Sequence, residues 1–248
     1  MRKLQPLIAA NFRNSYRNRT VVLVMLGFCL FGIAILDVLV YALALRPLLA
    51  SPGPDAALAA RYLAMLAYGT GFIAMGMNLT IFTANIMVKE KAQRIHESIL
   101  AGPVTVRGLW MAKTLALFIP GLALCELMSL ATLLGFDALA FAPRMGFLAS
   151  PQMIVNVLVL VPMLFFPLYC LVILVGLVGN PVSGNVIANV AFSGILTLVL
   201  NLVTRAGLDL GGSGFALGSL GLAAVLGILV FALQGRMSKE RVILSGGA

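Results

Sequence analysis

Two carboxylates interrupt long apolar runs. Asp37 stands in the run over residues 21–45, and Glu126 in the run over residues 109–134. In helical conformation the rise of 1.5 Å per residue carries Asp37 about 24 Å, and Glu126 about 25 Å, from the start of its run. An ionisable side chain at such depth in a bilayer costs about 3 kcal/mol on insertion scales and turns toward protein or water. Equal depth allows the two acids to share one polar pocket with coupled titration. There they would bind a cation or a cationic group, or line an outer gate of a translocation path. The structural alternative for each is snorkelling or one buried hydrogen bond to a neighbouring helix.

A second group with chemical potential follows the second apolar run. The stretch Lys89-Glu90-Lys91-Ala92-Gln93-Arg94-Ile95-His96-Glu97-Ser98-Ile99-Leu100 is charged and amphipathic. A helix over residues 89–100 places Ile95, Ile99 and Leu100 on one side and Glu90, Gln93 and Glu97 along another. The apolar side can rest on the bilayer or on the spans. The acidic side then faces the cytoplasm, where a partner can reach it. Gly102 and Pro103 end this helix, and Trp110 and Lys113 are expected to anchor the next span at the membrane interface. Read plainly, the segment is a charged loop that fixes topology.

These groups need elements to hold them, and the composition says which. Of 248 residues, 61% are hydrophobic and 10% charged, far from the quarter or so of charged residues in a soluble domain. Six apolar blocks, roughly 21–45, 62–88, 109–134, 154–177, 186–203 and 215–233, are each about as long as a helix that crosses a bilayer. The blocks do not alternate as barrel strands do. The expected fold is an all-α integral membrane protein. Residues 1–20 form an interfacial helix, 21–235 a six-helix transmembrane domain and 236–248 a tail.

Charge orients the chain. Of its 17 basic residues, 13 fall in the N-terminal segment, the link after the second block and the tail. Only Arg46, Arg61, Arg144 and Arg205 lie on the other side. Both termini are therefore expected in the cytoplasm, and an even number of spans agrees in placing them on one side. The net charge of +9 follows from this topology and from anionic lipid, so nucleic acid is not an expected partner. Leu4, Ile8, Phe12 and Tyr16 recur every fourth residue, the pattern of a helix lying in the headgroup plane. Outside, residues 47–61, 135–153 and 205–214 are expected as connections, with Pro143 and Pro151 breaking the second.

The remaining polar residues say less. Cys29, Cys125 and Cys170 stand singly in separate spans without metal spacing. Met65, Met75, Met77 and Met87 suit flexible packing. Asn78, Thr80, Thr83, Asn85, Asn189 and Asn201 suit hydrogen bonds between helices.

The stretch Lys89-Glu90-Lys91, Gln93, Glu97, Leu100, Pro103-Val104 and Lys113 resembles the permease signature of ABC-2 type ABC exporters, departing from it at Ala92, Arg94-Ile95 and Ala112. The N-terminal helix, six spans and tail are similar to that family's layout along the whole chain. The resemblance implies a multi-pass protein of a prokaryotic cell (inner) membrane that does not itself hydrolyse ATP, and the chain has no Gly-x-x-x-x-Gly-Lys-Ser/Thr loop. ATP and Mg would be held by a separate ABC ATP-binding subunit, with no cofactor or metal in this chain. Glu90, Gln93, Glu97 and Pro103 would couple to that subunit, and the link Gly179–Gly184 would make a smaller contact. The permease would pair as a homodimer or a heterodimer with a related chain, and would export a hydrophobic or amphipathic compound. An ion-coupled secondary transporter using Asp37 and Glu126, and a non-transporting membrane assembly protein, are the alternatives.

Overall fold

A computed structural model describes residues 4–51, 53, 55–93, 95–102, 104–204, 209–210, 212–235 and 237–244. Among them, six helices are long and apolar enough to cross a bilayer: Arg19–Ala50, Ala56–Phe82, Val106–Met145, Pro151–Val178, Val182–Asn201 and Ser213–Gln234. They are called the first to sixth spans. Short polar side chains set where several of them start. Asp55 Oδ1 accepts from the amides of Ala57 at 2.9 Å and Leu58 at 3.3 Å. Thr105 Oγ1 accepts from Gly108 N at 3.1 Å, and Ser150 Oγ from Met153 N at 3.1 Å. Each satisfies an amide that has no partner in the first turn of a helix.

The second span is the hub. Of its most apolar stretch 89% is buried, against 6% for the sixth, and it packs on the first, third, fourth and fifth spans. Small residues permit this. A side chain at Gly71 would meet Ser129 Oγ of the third span at 2.8 Å, the close approach that small residues allow between membrane helices. The sixth span packs on the fourth and exposes Leu217, Val225, Ile228 and Phe231. The first span likewise exposes Phe28, Phe31, Val38 and Leu43. Apolar faces of this extent belong against lipid rather than water, and the chain is a multi-pass, all-α integral membrane protein.

Both terminal helices lie at one end of the bundle. Asn14, in the N-terminal helix Leu4–Tyr16, donates to Glu90 at 3.0 Å. Lys239, in the helix Lys239–Leu244, donates to Leu100 O at 3.2 Å. Glu90 and Leu100 both belong to the link between the second and third spans, so this is the terminal end of the molecule.

Three expectations about connections change. The helix over 89–100 is not continuous: Val88–Ala92 and Ile95–Ala101 are separate, and Gln93 turns between them with φ −89° and ψ 4°. The long loop over 135–153 is mostly helix, because the third span runs on through a π-helical turn, Asp137–Phe141, to Met145. Pro143 lies within Ala142–Met145, directly after the π-helical turn, and the helix runs past it to Met145. The buried Asp137 carboxylate then holds the true loop, accepting from Leu148 N and Ala149 N at 2.9 Å each. The link over 179–184 shrinks to Gly179 and Asn180, since a helix begins at Pro181 and Asn180 Oδ1 accepts from Val182 N at 2.9 Å.

Candidate functional site

The terminal end carries a polar joint in two tiers. The second span ends in a π-helical turn, Thr83–Met87, which leads into Val88–Ala92. Glu90 is 4% exposed. Its carboxylate forms an ion pair with the buried Lys113 of the third span and accepts from Asn14 Nδ2. Pairing plus a further hydrogen bond is what a buried charge requires. One turn before Lys113, Trp110 is buried and its Nε1 donates to Cys170 O of the fourth span at 2.9 Å. Trp110 and Lys113 are thus internal, not anchors at the interface, because the N-terminal helix packs against the third span.

The second tier is neutral. Tyr16 Oη donates to Asn78 Oδ1 at 3.0 Å. Asn78 Nδ2 donates to Tyr169 Oη at 2.8 Å and to Leu117 O at 2.9 Å. Tyr169 Oη donates in turn to Met75 O at 3.0 Å. One asparagine, using both amide hydrogens and its oxygen, therefore ties the N-terminal helix to the second, third and fourth spans, and the expected hydrogen bonds between helices are present here. Burial raises the Tyr16 phenol well above its ordinary value, with the bond to Asn78 opposing in part, so it serves as a neutral donor.

Beside the joint, Lys91 is buried and donates to Gly179 O, linking the segment after the second span to the turn after the fourth. Burial holds its ammonium below the usual lysine value. Leu100, Val106, Leu109 and Val242 form a small apolar cluster that includes Ile99 and Val178 at its edge. The apolar side of the link thus rests on the third span and the C-terminal helix. A recess of about 390 Å3 opens between the N-terminal helix and this link, lined by Asn14, Arg17, Asn18, Lys89, Glu90 and Gln93, among others.

The expected site residues divide accordingly. Glu90 does not lie on an open acidic face, since Lys113 and Asn14 draw it inward. Gln93 is exposed at the turn. Glu97 lies in Ile95–Ala101, its side chain outside the described part of the structure. Pro103 lies outside the described residues.

The two acids within the spans are not brought to one cavity. Asp37 lines a space of about 500 Å3 between the first and third spans. The third span contributes Met128, Ala131, Thr132, Gly135 and Phe136 to it, one stripe of helical spacing. Glu126 is half-buried and not among the lining residues. It precedes Met128 by two residues, which is about 200° around the helix. Asp37 Oδ1 is buried and has no hydrogen-bond partner among the described residues.

The fifth span carries a feature not anticipated from single residues. Asn189, Ser193, Thr197 and Asn201 recur every fourth position on its exposed side. Three of them bond within their own helix: Asn189 Nδ2 donates to Asn185 O at 3.0 Å, Ser193 Oγ to Asn189 O at 2.8 Å and Asn201 Nδ2 to Thr197 O at 2.8 Å. The spacing of four was the available signal. For the joint, the signal was a lysine inside an apolar run, which needs an acid at its own depth.

Comparison with protein-family models, with curated proteins and with solved structures gives no significant match. What the fold and site define is an integral membrane protein of six membrane-length helices with a transporter-like architecture, jointed at the end where the helices Leu4–Tyr16 and Lys239–Leu244 lie.

Proposed function

We propose that this chain is the permease subunit of an ABC-2 type exporter, driven by a separate ATP-hydrolysing subunit on the cytoplasmic side. The observation that carries this reading is the bonding of the link between the second and third spans. A push on Ile95–Ala101 passes to Val88–Ala92, and from Glu90 to Lys113 in the third span and Asn14 in the N-terminal helix. A loop that only fixed topology would need no such connection to the core. The recess beside Gln93 offers the partner a place to engage. ATP and magnesium belong to the partner in this reading, and this chain performs no covalent chemistry.

The polar stripe on the fifth span supports pairing of two permeases. Asparagine, serine and threonine facing lipid at regular spacing are unfavourable relative to facing protein or water. A second copy, or a related chain, would cover the stripe and enclose a polar route for an amphipathic cargo.

The test is Glu97→Lys, a charge reversal on the segment that would dock. Co-purification with the ATPase subunit, and its stimulated ATP hydrolysis, should fall about tenfold or more, as loss of an interfacial charge contact predicts. Insertion should be unchanged because no span is altered. Undiminished assembly and hydrolysis would remove Glu97 from the interface and leave the reading without its coupling contact.

A further inference from the structure

The cavity at Asp37 has the makings of a ligand site. Tyr41, Met128, Thr132, Phe136 and Leu139 supply much of its wall. Both helices that border this open groove are distorted among its lining residues: Tyr41 begins the π-helical turn Tyr41–Leu45 of the first span, and Leu139 and Ala140 belong to Asp137–Phe141 of the third. Such turns are rare and concentrate at functional sites. The volume is in the range of small-molecule pockets, which pair apolar walls with a few placed polar groups. Asp37 supplies such a group. Its buried Oδ1 lacks a partner, a costly state for a carboxyl oxygen in apolar surroundings. A ligand that donates a hydrogen bond there would remove that cost.

We propose that this cavity binds a long-chain primary amine, its ammonium donating to Asp37 and its alkyl chain lying along Met128, Phe136 and Leu139. An anion is the competing occupant. Tyr41, Leu139 and Ala140 also line an adjoining cavity of about 520 Å3 that contains Arg46 and Arg144. Those guanidinium groups are exposed, and Arg144 already donates to Leu49 O at 2.9 Å. The unmet demand lies on the acid, which favours the amine. This site goes beyond the export reading, because binding requires neither an ATPase nor a second copy. Only the further step, that such an amine is cargo, rests on that reading.

The experiment uses the full chain in nanodiscs of zwitterionic lipid, with empty nanodiscs as the blank, and measures binding of dodecylamine, dodecanol and dodecanoate by native mass spectrometry at neutral pH. Dodecylamine should bind about tenfold or more tighter than dodecanol, the margin of a hydrogen bond to a charged group. Asp37→Asn should erase that preference while leaving dodecanol unchanged. Ala131→Phe, at an exposed lining position, should weaken amine binding by filling the space, and decides the matter if Asp37→Asn fails to assemble. Equal affinity for amine and alcohol, tighter binding of dodecanoate, or an amine affinity untouched by both variants would overturn the proposal.

Discussion

Glu90 and Asp37 are both acids withdrawn from water, but their surroundings differ. At the terminal end Glu90 has an ammonium on one side and an asparagine amide on the other. Between the first and third spans Asp37 has a buried oxygen with no partner and an open cavity beside it. The first arrangement joins elements together; removing a member leaves a stranded charge. The second joins nothing, so its charge is available to something that enters. The same side-chain chemistry thus marks a mechanical connection in one region and a binding position in the other, and the complement of hydrogen bonds tells them apart.

The largest effect that can break this contrast is at Lys113. Lys113→Met should destabilise the protein by about 3–5 kcal/mol, because the buried Glu90 carboxylate loses the ammonium it is paired with. The double variant Lys113→Met with Glu90→Gln should recover most of that loss, since a neutral amide keeps the bond from Asn14 and removes the stranded charge. Unfolding of the detergent-solubilised protein by titration with a denaturing detergent measures both. A double variant as unstable as the single one would mean that the ammonium contributes through something other than Glu90.

A smaller effect is expected at Asp37. Asp37→Asn preserves shape and removes an unpartnered charge, so stability should fall by no more than about 0.5 kcal/mol, and a gain is equally in keeping with the structure. The same unfolding measurement applies. A loss comparable to that of Lys113→Met would make Asp37 a structural joint like Glu90 and end the contrast.

Hydropathy alone located all six spans, because about twenty apolar residues in a row leave few alternatives. It misjudged their ends. Pro143 reads as a breaker in sequence, yet the helix continues past it to Met145, and the Asp137 carboxylate that secures the following loop is bonded to residues 11 and 12 positions away. Glu90 and Lys113 are 23 residues apart, and helical periodicity says nothing about such a pair. Periodicity also predicted one helix where Gln93 makes a turn, since the tertiary pull of Lys113 on Glu90 and of Gly179 on Lys91 is invisible to it. The depth of Asp37 and Glu126 is a one-dimensional argument; Glu126 precedes every lining residue of the third span and stands about 200° around the helix from Met128. The stripe on the fifth span was legible in principle, but Asn189 and Asn201 read singly suggest hydrogen bonds between helices.

The smallest expected effect concerns Lys91, which belongs to the joint but is placed differently from Lys113. Its ammonium donates to a backbone carbonyl, Gly179 O, and burial lowers its pKa from the ordinary 10.5. In the pH window between the lowered folded value and 10.5, the unfolded chain still binds a proton that the folded chain has released. Stability must then rise with pH across that window. Below it both states are protonated and the full cost of burying the charge is present; above it both are neutral and the cost is gone. Lys91→Met lacks the titrating group, so the difference in stability between native protein and variant isolates this contribution from every other group that titrates. That difference should move in favour of the native protein as the pH climbs toward 10.5. A flat difference would place the Lys91 ammonium in solvent, and a difference that moves the other way would require an acid beside it, which would make Lys91 a second Lys113.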